Sequence, residues 1–174
     1  LTLPDGSALK MEDLLKEKEA TAGSFEMAAL TEKGTSATKE FQGEYTVTYL
    51  DKNQEKQTVT VNISNKTAAA DEKTIAADVA KALKDTELGE LFDIAADASS
   101  GKIKFTAKET GLTDRPQIES MTEKALMKDD VAVSEATQIA KGVATGTKTL
   151  GKDAWVEFDT TKLDDTDPTK NSFE

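Results

Sequence analysis

Tyr45-Thr-Val-Thr-Tyr-Leu50, Gln57-Thr-Val-Thr-Val-Asn-Ile63, Ile75-Ala-Ala-Asp-Val-Ala-Lys-Ala-Leu83 and Gly101-Lys-Ile-Lys-Phe-Thr-Ala-Lys108 decide how this chain folds. In the first two segments Tyr45, Val47 and Tyr49, then Val59, Val61 and Ile63, alternate with Thr or Asn. That period of two belongs to half-buried strands, and β-branched and aromatic residues suit a pleated surface. The polar link Asp51 to Lys56 is short enough to make the pair an antiparallel hairpin. The period then changes. Ile75, Val79 and Leu83 recur every four residues with Ala76 and Ala80 beside them, which draws one apolar stripe down a helix over Asp71 to Lys84. Asp71 and Glu72 open this helix and Lys81 and Lys84 close it, the arrangement the helix dipole favours.

Glu87-Leu-Gly-Glu90 breaks the helical pattern. Phe92, Ile94 and Ala96 alternate again over a strand at 91–96, Ser99-Ser-Gly101 supplies a turn, and Ile103, Phe105 and Ala107 mark a strand at 102–107. The order is strand, strand, helix, strand, strand. One helix lying across a small sheet buries the three apolar sets together, with Ile75, Val79 and Leu83 facing Val59, Val61, Phe92, Ile94, Ile103 and Phe105. Each such side chain, fully buried, stabilises the fold by roughly 1.5–3 kcal/mol.

The flanks carry weaker signals. Leu1-Thr-Leu-Pro-Asp-Gly6 reads as an extended piece and a turn, and Ser7 to Ala20 as a helix capped by Ser7 and anchored by Leu14 and Leu15. Ser24 to Thr31 reads as a strand and Thr35 to Gly43 as a linker. Arg115-Pro116 disfavours helix just before the proline. Gln117 to Met127 fits a strand at its start or a helix using Ile118, Met121, Ala125 and Leu126; a strand at 117–122 is the better reading. Val131 to Val133 is a short strand, Gly142 to Gly151 a loop or hairpin, and Ala154 to Phe158 a strand. Beyond Asp164 the sequence is polar and reads as a frayed end. There is no tandem repeat. The fold class is therefore α+β: a small ββαββ module at 43–112, inserted in a mostly β lobe made of 1–42 and 113–174.

Composition excludes much chemistry. The 174 residues carry a net charge of −11, 37% hydrophobic and 32% charged residues, and few aromatics. That is a globular, acidic chain, ill-suited to phosphate backbones or anionic membranes, and no apolar run is long enough to span a bilayer. No basic segment followed by an apolar run opens the sequence, so no signal peptide is visible, although the sequence starts without Met. There is no cysteine and no histidine. Disulfides, thiolate metal sites and the usual general base are absent with them, and a Ser-His-Asp triad is impossible.

The remaining candidates are thin. Asp165, Asp167, Asn171 and Glu174 loosely resemble a calcium loop, but the turn glycine is missing and Pro168 stands near its place. A solvated acidic tail is the plainer reading, and Asp129-Asp130 is a turn. Asn62-Ile-Ser64 and Asn65-Lys-Thr67 match the N-glycosylation sequon, with Asn62 inside a strand. Paired carboxylates could serve a glycosidase, yet no pair stands out. Trp155 is either a ligand platform or, as an aromatic in a strand, part of the core; core is favoured. The threonine-rich strand faces could bind a partner or carry O-linked sugars, with plain solvation the default. Neither a catalytic residue, a cofactor site nor a metal site is expected.

The quoted segments, in their order, are similar to the hook IN motif of bacterial flagellins and hook-associated proteins. The likeness covers residues 43–111, and the flanks resemble a flagellin's surface-exposed variable region. The resemblance implies a non-enzymatic, extracellular filament protein of the bacterial flagellum, exported by the flagellar type III pathway. Its contacts with other subunits would run through terminal helices not contained in these residues, leaving this fragment a soluble monomer. A phage-tail or bacterial adhesin module is the alternative.

Overall fold

The computed structural model describes residues 15–65, 71–112, 115–138, 143–144 and 146–158. In chain order the strands are β1 (Leu15–Lys18), β2 (Ala22–Met27), β3 (Phe41–Leu50), β4 (Lys56–Asn65), β5 (Phe92–Ala96), β6 (Ile103–Thr110), β7 (Gln117–Lys128), β8 (Val131–Ala132), β9 (Val143–Ala144), β10 (Gly146–Thr149) and β11 (Trp155–Phe158). The helices are α1 (Glu72–Lys84), α2 (Leu88–Leu91) and α3 (Glu135–Gln138). The chain is α+β with strands predominating.

Strands β3 and β4 form a regular ten-residue hairpin in which Phe41, Tyr45, Val47, Tyr49, Val61 and Ile63 turn inward. Asp51 closes it, its Oδ1 accepting the Asn53 and Glu55 amides at 2.8 and 3.0 Å. Strands β5 and β6 form the second hairpin, with Phe92, Ile94, Ile103, Phe105 and Ala107 buried. Asp97 closes that one by accepting the Ser99 and Ser100 amides. Helix α1 begins where Asp71 accepts the Thr74 amide at 2.7 Å and buries Ile75, Ala76, Val79, Ala80 and Leu83.

The small single sheet expected beneath this helix does not form. The two hairpins lie in different sheets: β4-β3-β7-β8, with β9 also on β7, and β10-β2-β6-β5. A two-stranded hairpin is marginal by itself, and each hairpin gains its third strand from outside 43–112. Strand β7 pairs with β3, and β2 pairs with β6. Helix α1 packs against both β4 and β5, the terminal strands of the two sheet orders, and so bridges the sheets along one side. The inward faces of both sheets and the helix stripe merge into one apolar core. The facing residues expected from sequence all belong to it, Val59 only half-buried at its margin. Phe25 and Phe105 tilt against each other at 56° with centroids 6.3 Å apart.

Three local expectations change. Residues 15–18, read as the end of a helix, are strand β1, paired in register with β11 from Leu15↔Phe158 to Lys18↔Trp155; pairing with a distant strand overrides a weak local pattern there. Of the rest of that helix, residues 19–20 are not helical and residues 7–14 lie outside the described residues. The pattern break at Glu87 to Glu90 contains the one-turn helix α2, with Leu88 fully buried. Gly89 permits it: a Cβ there would stand 2.0 Å from the Lys84 carbonyl oxygen. The linker read at 35–43 already contains the start of β3 at Phe41.

Two stability measurements probe this packing. Leu83 is fully buried where α1 meets both sheets, so Leu83→Ala should cost about 2–5 kcal/mol in denaturant unfolding; an unchanged midpoint would exclude this core. Gly89→Ala adds only a methyl group, yet should cost about 1–3 kcal/mol because backbone blocks it.

Candidate functional site: buried charge between the sheets

Strand β7 is irregular, and its irregularities place the charged groups. Thr48 pairs with Ser120 but Tyr49 with Ile118; Gly43 pairs with Ala125 but Gln42 with Met127. Each shift inserts one extra residue into β7, and each extra residue reverses which side chains face the core. Between the bulges Met121, Glu123 and Ala125 point inward and are buried. The second bulge lies just before the end of β7 at Lys128.

Glu123 is thus a carboxylate with only 4% exposure, and Glu32, in the segment following β2, has 3%. Thr31 fastens Glu123: its amide donates to Oε1 at 3.0 Å and its hydroxyl donates to the same oxygen. Glu32, one residue on, forms an ion pair with Lys128, whose side chain keeps about a third of its surface, 34%, in solvent. Tyr45, the cross-strand partner of Glu123, is fully buried. Its ring folds back over Gly43, where a Cβ would come within 2.8 Å of the ring edge and of the hydroxyl. Desolvation first, then the charges of Glu123 and Glu32, push the Tyr45 phenol far above its ordinary value of 10.0. The phenol stays protonated, a proton donor beside two carboxylates, and its oxygen has no hydrogen-bond partner. A small hollow lined by Glu32, Ala125, Lys128, Val133, Thr137 and Gln138 opens from this cluster.

The turn after β7 holds the Glu32 segment in place. Lys128 pairs with Val131, leaving Asp129-Asp130 as a two-residue hairpin loop with φ of 51° and 67°. Two positive φ values are what such loops need to match the strand twist. Asp129 accepts the Thr35 and Ser36 amides at 2.9 and 3.0 Å and the Thr35 hydroxyl at 2.6 Å. Asp130 accepts the Glu40 amide at 2.8 Å and donates its own amide to the Glu40 carbonyl at 3.2 Å. The turn expected at 129–130 is therefore also a clasp on residues 35–40.

The other sequence candidates fall elsewhere. Asp165, Asp167, Asn171 and Glu174 lie outside the described residues, and among the described residues no acidic group gathers as metal ligands do. Asn62 is exposed on β4; Asn65 is half-buried and donates to Asp78 at 3.4 Å, while Thr67 of its sequon is not described. Trp155 is not core: it is 38% exposed on the two-stranded β1–β11 ribbon, with the Lys152 ammonium 5.5 Å above its ring. Only one strand covers it, so its strand pattern carried no guarantee of burial. The threonines of β3 and β4 share an outer face, where Thr46 and Thr60 hydroxyls meet at 2.9 Å.

Glu32, Glu123 and Lys128 were not singled out in the sequence, and Tyr45 was read only as an inward strand position. An acidic residue in an alternating strand reads as solvent-facing unless the bulges are known. Compared with known proteins, the sequence matches no protein-family model and no curated protein.

The clasp predicts a pH response. Hydrogen bonds from the Thr35 hydroxyl and amide hold the Asp129 carboxyl below its ordinary 3.8. A lowered folded-state pKa gives stability that is present above 3.8 and is lost as pH falls through the folded value. Asp129→Asn, which tolerates the positive φ, should lower Tm at neutral pH. The gap to wild type should close on acidification below that range; a gap independent of pH would exclude the charge as its source.

Proposed function

We propose that this chain is a structural, non-catalytic domain displayed on the surface of a bacterial flagellin-type filament subunit, with 43–112 as its hook IN-like segment. Sequence likeness of that segment supports the reading, and one geometric observation carries it. The register Leu15↔Phe158 sets the strand leading into the two sheets beside the strand leading out. A domain carried on another body by two adjacent strands can be inserted without forcing that body's own segments apart. The ribbon's two ion-paired and aromatic contacts, Lys18–Glu157 at 3.4 Å and Lys152 over Trp155, sit at this junction.

In this reading the acidic surface keeps neighbouring copies apart at low salt. Subunit contacts belong to segments beyond this sequence, and the location is outside the cell. Replacing residues 15–158 by a short Gly-Ser linker in the parent gene should leave filaments that assemble and are visible by electron microscopy. A stable, exported deletion protein that forms no filaments would overturn the reading.

A further inference from the structure

We propose that Gly23, Gly111 and Gly151 lock the β1–β11 ribbon to the sheet pair, so that ribbon and sheets turn as one rigid body instead of swinging on a two-strand hinge.

The chain passes between ribbon and sheets twice, at residues 19–21 before β2 and at residues 150–154 after β10. Glycines at or beside such crossings ordinarily serve as pivots, because they accept many backbone conformations. The contacts here make them the reverse. Thr21 and Lys152 face each other as an isolated bridge, the Thr21 amide donating to the Lys152 carbonyl at 2.8 Å and the Lys152 amide donating to the Thr21 carbonyl at 3.0 Å. The same Thr21 carbonyl accepts the Gly111 amide at 3.0 Å. Gly111 belongs to the link from β6 to β7, a segment that never enters the ribbon. Asp153 adds a second tie to that link, its Oδ1 accepting the Leu112 amide at 3.0 Å. Two crossing strands alone leave a ribbon free to bend; ties to a third segment oppose that bending.

The glycines let these backbones come so close. A Cβ on Gly151 would stand 2.2 Å from the Gly111 carbonyl oxygen, 2.8 Å from the Thr21 carbonyl oxygen and 2.9 Å from the Gly23 nitrogen. A Cβ on Gly23 would meet the Gly151 nitrogen at 3.1 Å and the Thr149 carbonyl oxygen at 3.3 Å. All of these neighbours are backbone, so no side chain can swing aside to make room. Gly111 itself sits at a φ of 105°, which L side chains rarely adopt. Tilting the ribbon would part the three backbones and break the hydrogen bonds to the Thr21 carbonyl together. The lock is a property of this chain and does not depend on the filament reading.

Spin labelling tests it. The chain has no cysteine, so introduced cysteines take labels selectively. Electron–electron double resonance between labels at Val156→Cys on β11 and Thr58→Cys on β4, both exposed positions, should give one narrow distance distribution. A second pair, Thr58→Cys with Lys104→Cys on β6, spans the two sheets and reports whether they stay packed. Gly151→Ala should lose the narrow distribution of the first pair while the second pair keeps its own. Gly23→Ala, whose contacts are milder, should broaden the first pair less, and it carries the same reading if Gly151→Ala also loosens the second pair. A broad first-pair distribution with all glycines in place would overturn the lock. A first pair that stays as narrow in both alanine variants would overturn the glycine contacts as its source.

Discussion

The rest of the structure depends on β7 pairing with β3 through two bulges. Without β7, the β3–β4 hairpin has no third strand. A straight β7 would pass through the same hydrogen-bonding partners but send the wrong side chains inward. The bulge at Glu119–Ser120 lets both Ile118 and Met121 reach the core although two residues separate them. The bulge near Leu126 brings Lys128 to Glu32. The Asp129-Asp130 loop that follows then fixes residues 35–40, and with them the segment that carries Thr31 and Glu32. One strand thus sets the sheet, its facing and the buried charge.

That same strand explains what could and could not be read from the sequence. Where alternation or helical spacing is unbroken, as in β3, β4, β6 and α1, the local pattern settles both element and burial. In β7 the apolar core positions 118, 121 and 125 fall at helical intervals because the first bulge adds a residue between 118 and 121 and the inward position between 121 and 125 is the charged Glu123. The ambiguity at Gln117 to Met127 was therefore real: spacing alone does not separate a twice-bulged strand from a helix. Glu123 was invisible for the same reason. The distribution of the hairpins between two sheets was also beyond local reading. It is decided by β2 and β7, which lie far from their partners in sequence. Strand β1 and Trp155 show the limit in the other direction: a strand-like segment in a two-stranded ribbon has little to bury against.

Two buried carboxylates against one lysine is an expensive arrangement, and apolar residues in their places would leave a core of similar shape at less cost. Its retention calls for a return other than raw stability. Register is one candidate physical benefit, since the ion pair and the Thr31–Glu123 bonds are satisfied only if the segment after β2 meets β7 in one alignment.

The two flanks of the paired sheets are held by different contacts. Leu15 and Phe158 lie side by side in the β1–β11 ribbon, a sheet separate from the other two. Opening requires the sheets to part, and α1 already bridges them on the β4–β5 side. Among the described residues, β2 meets β7 on the other side. Glu32 and Lys128 follow β2 and end β7, so their ion pair ties these two strands together beyond the reach of the helix.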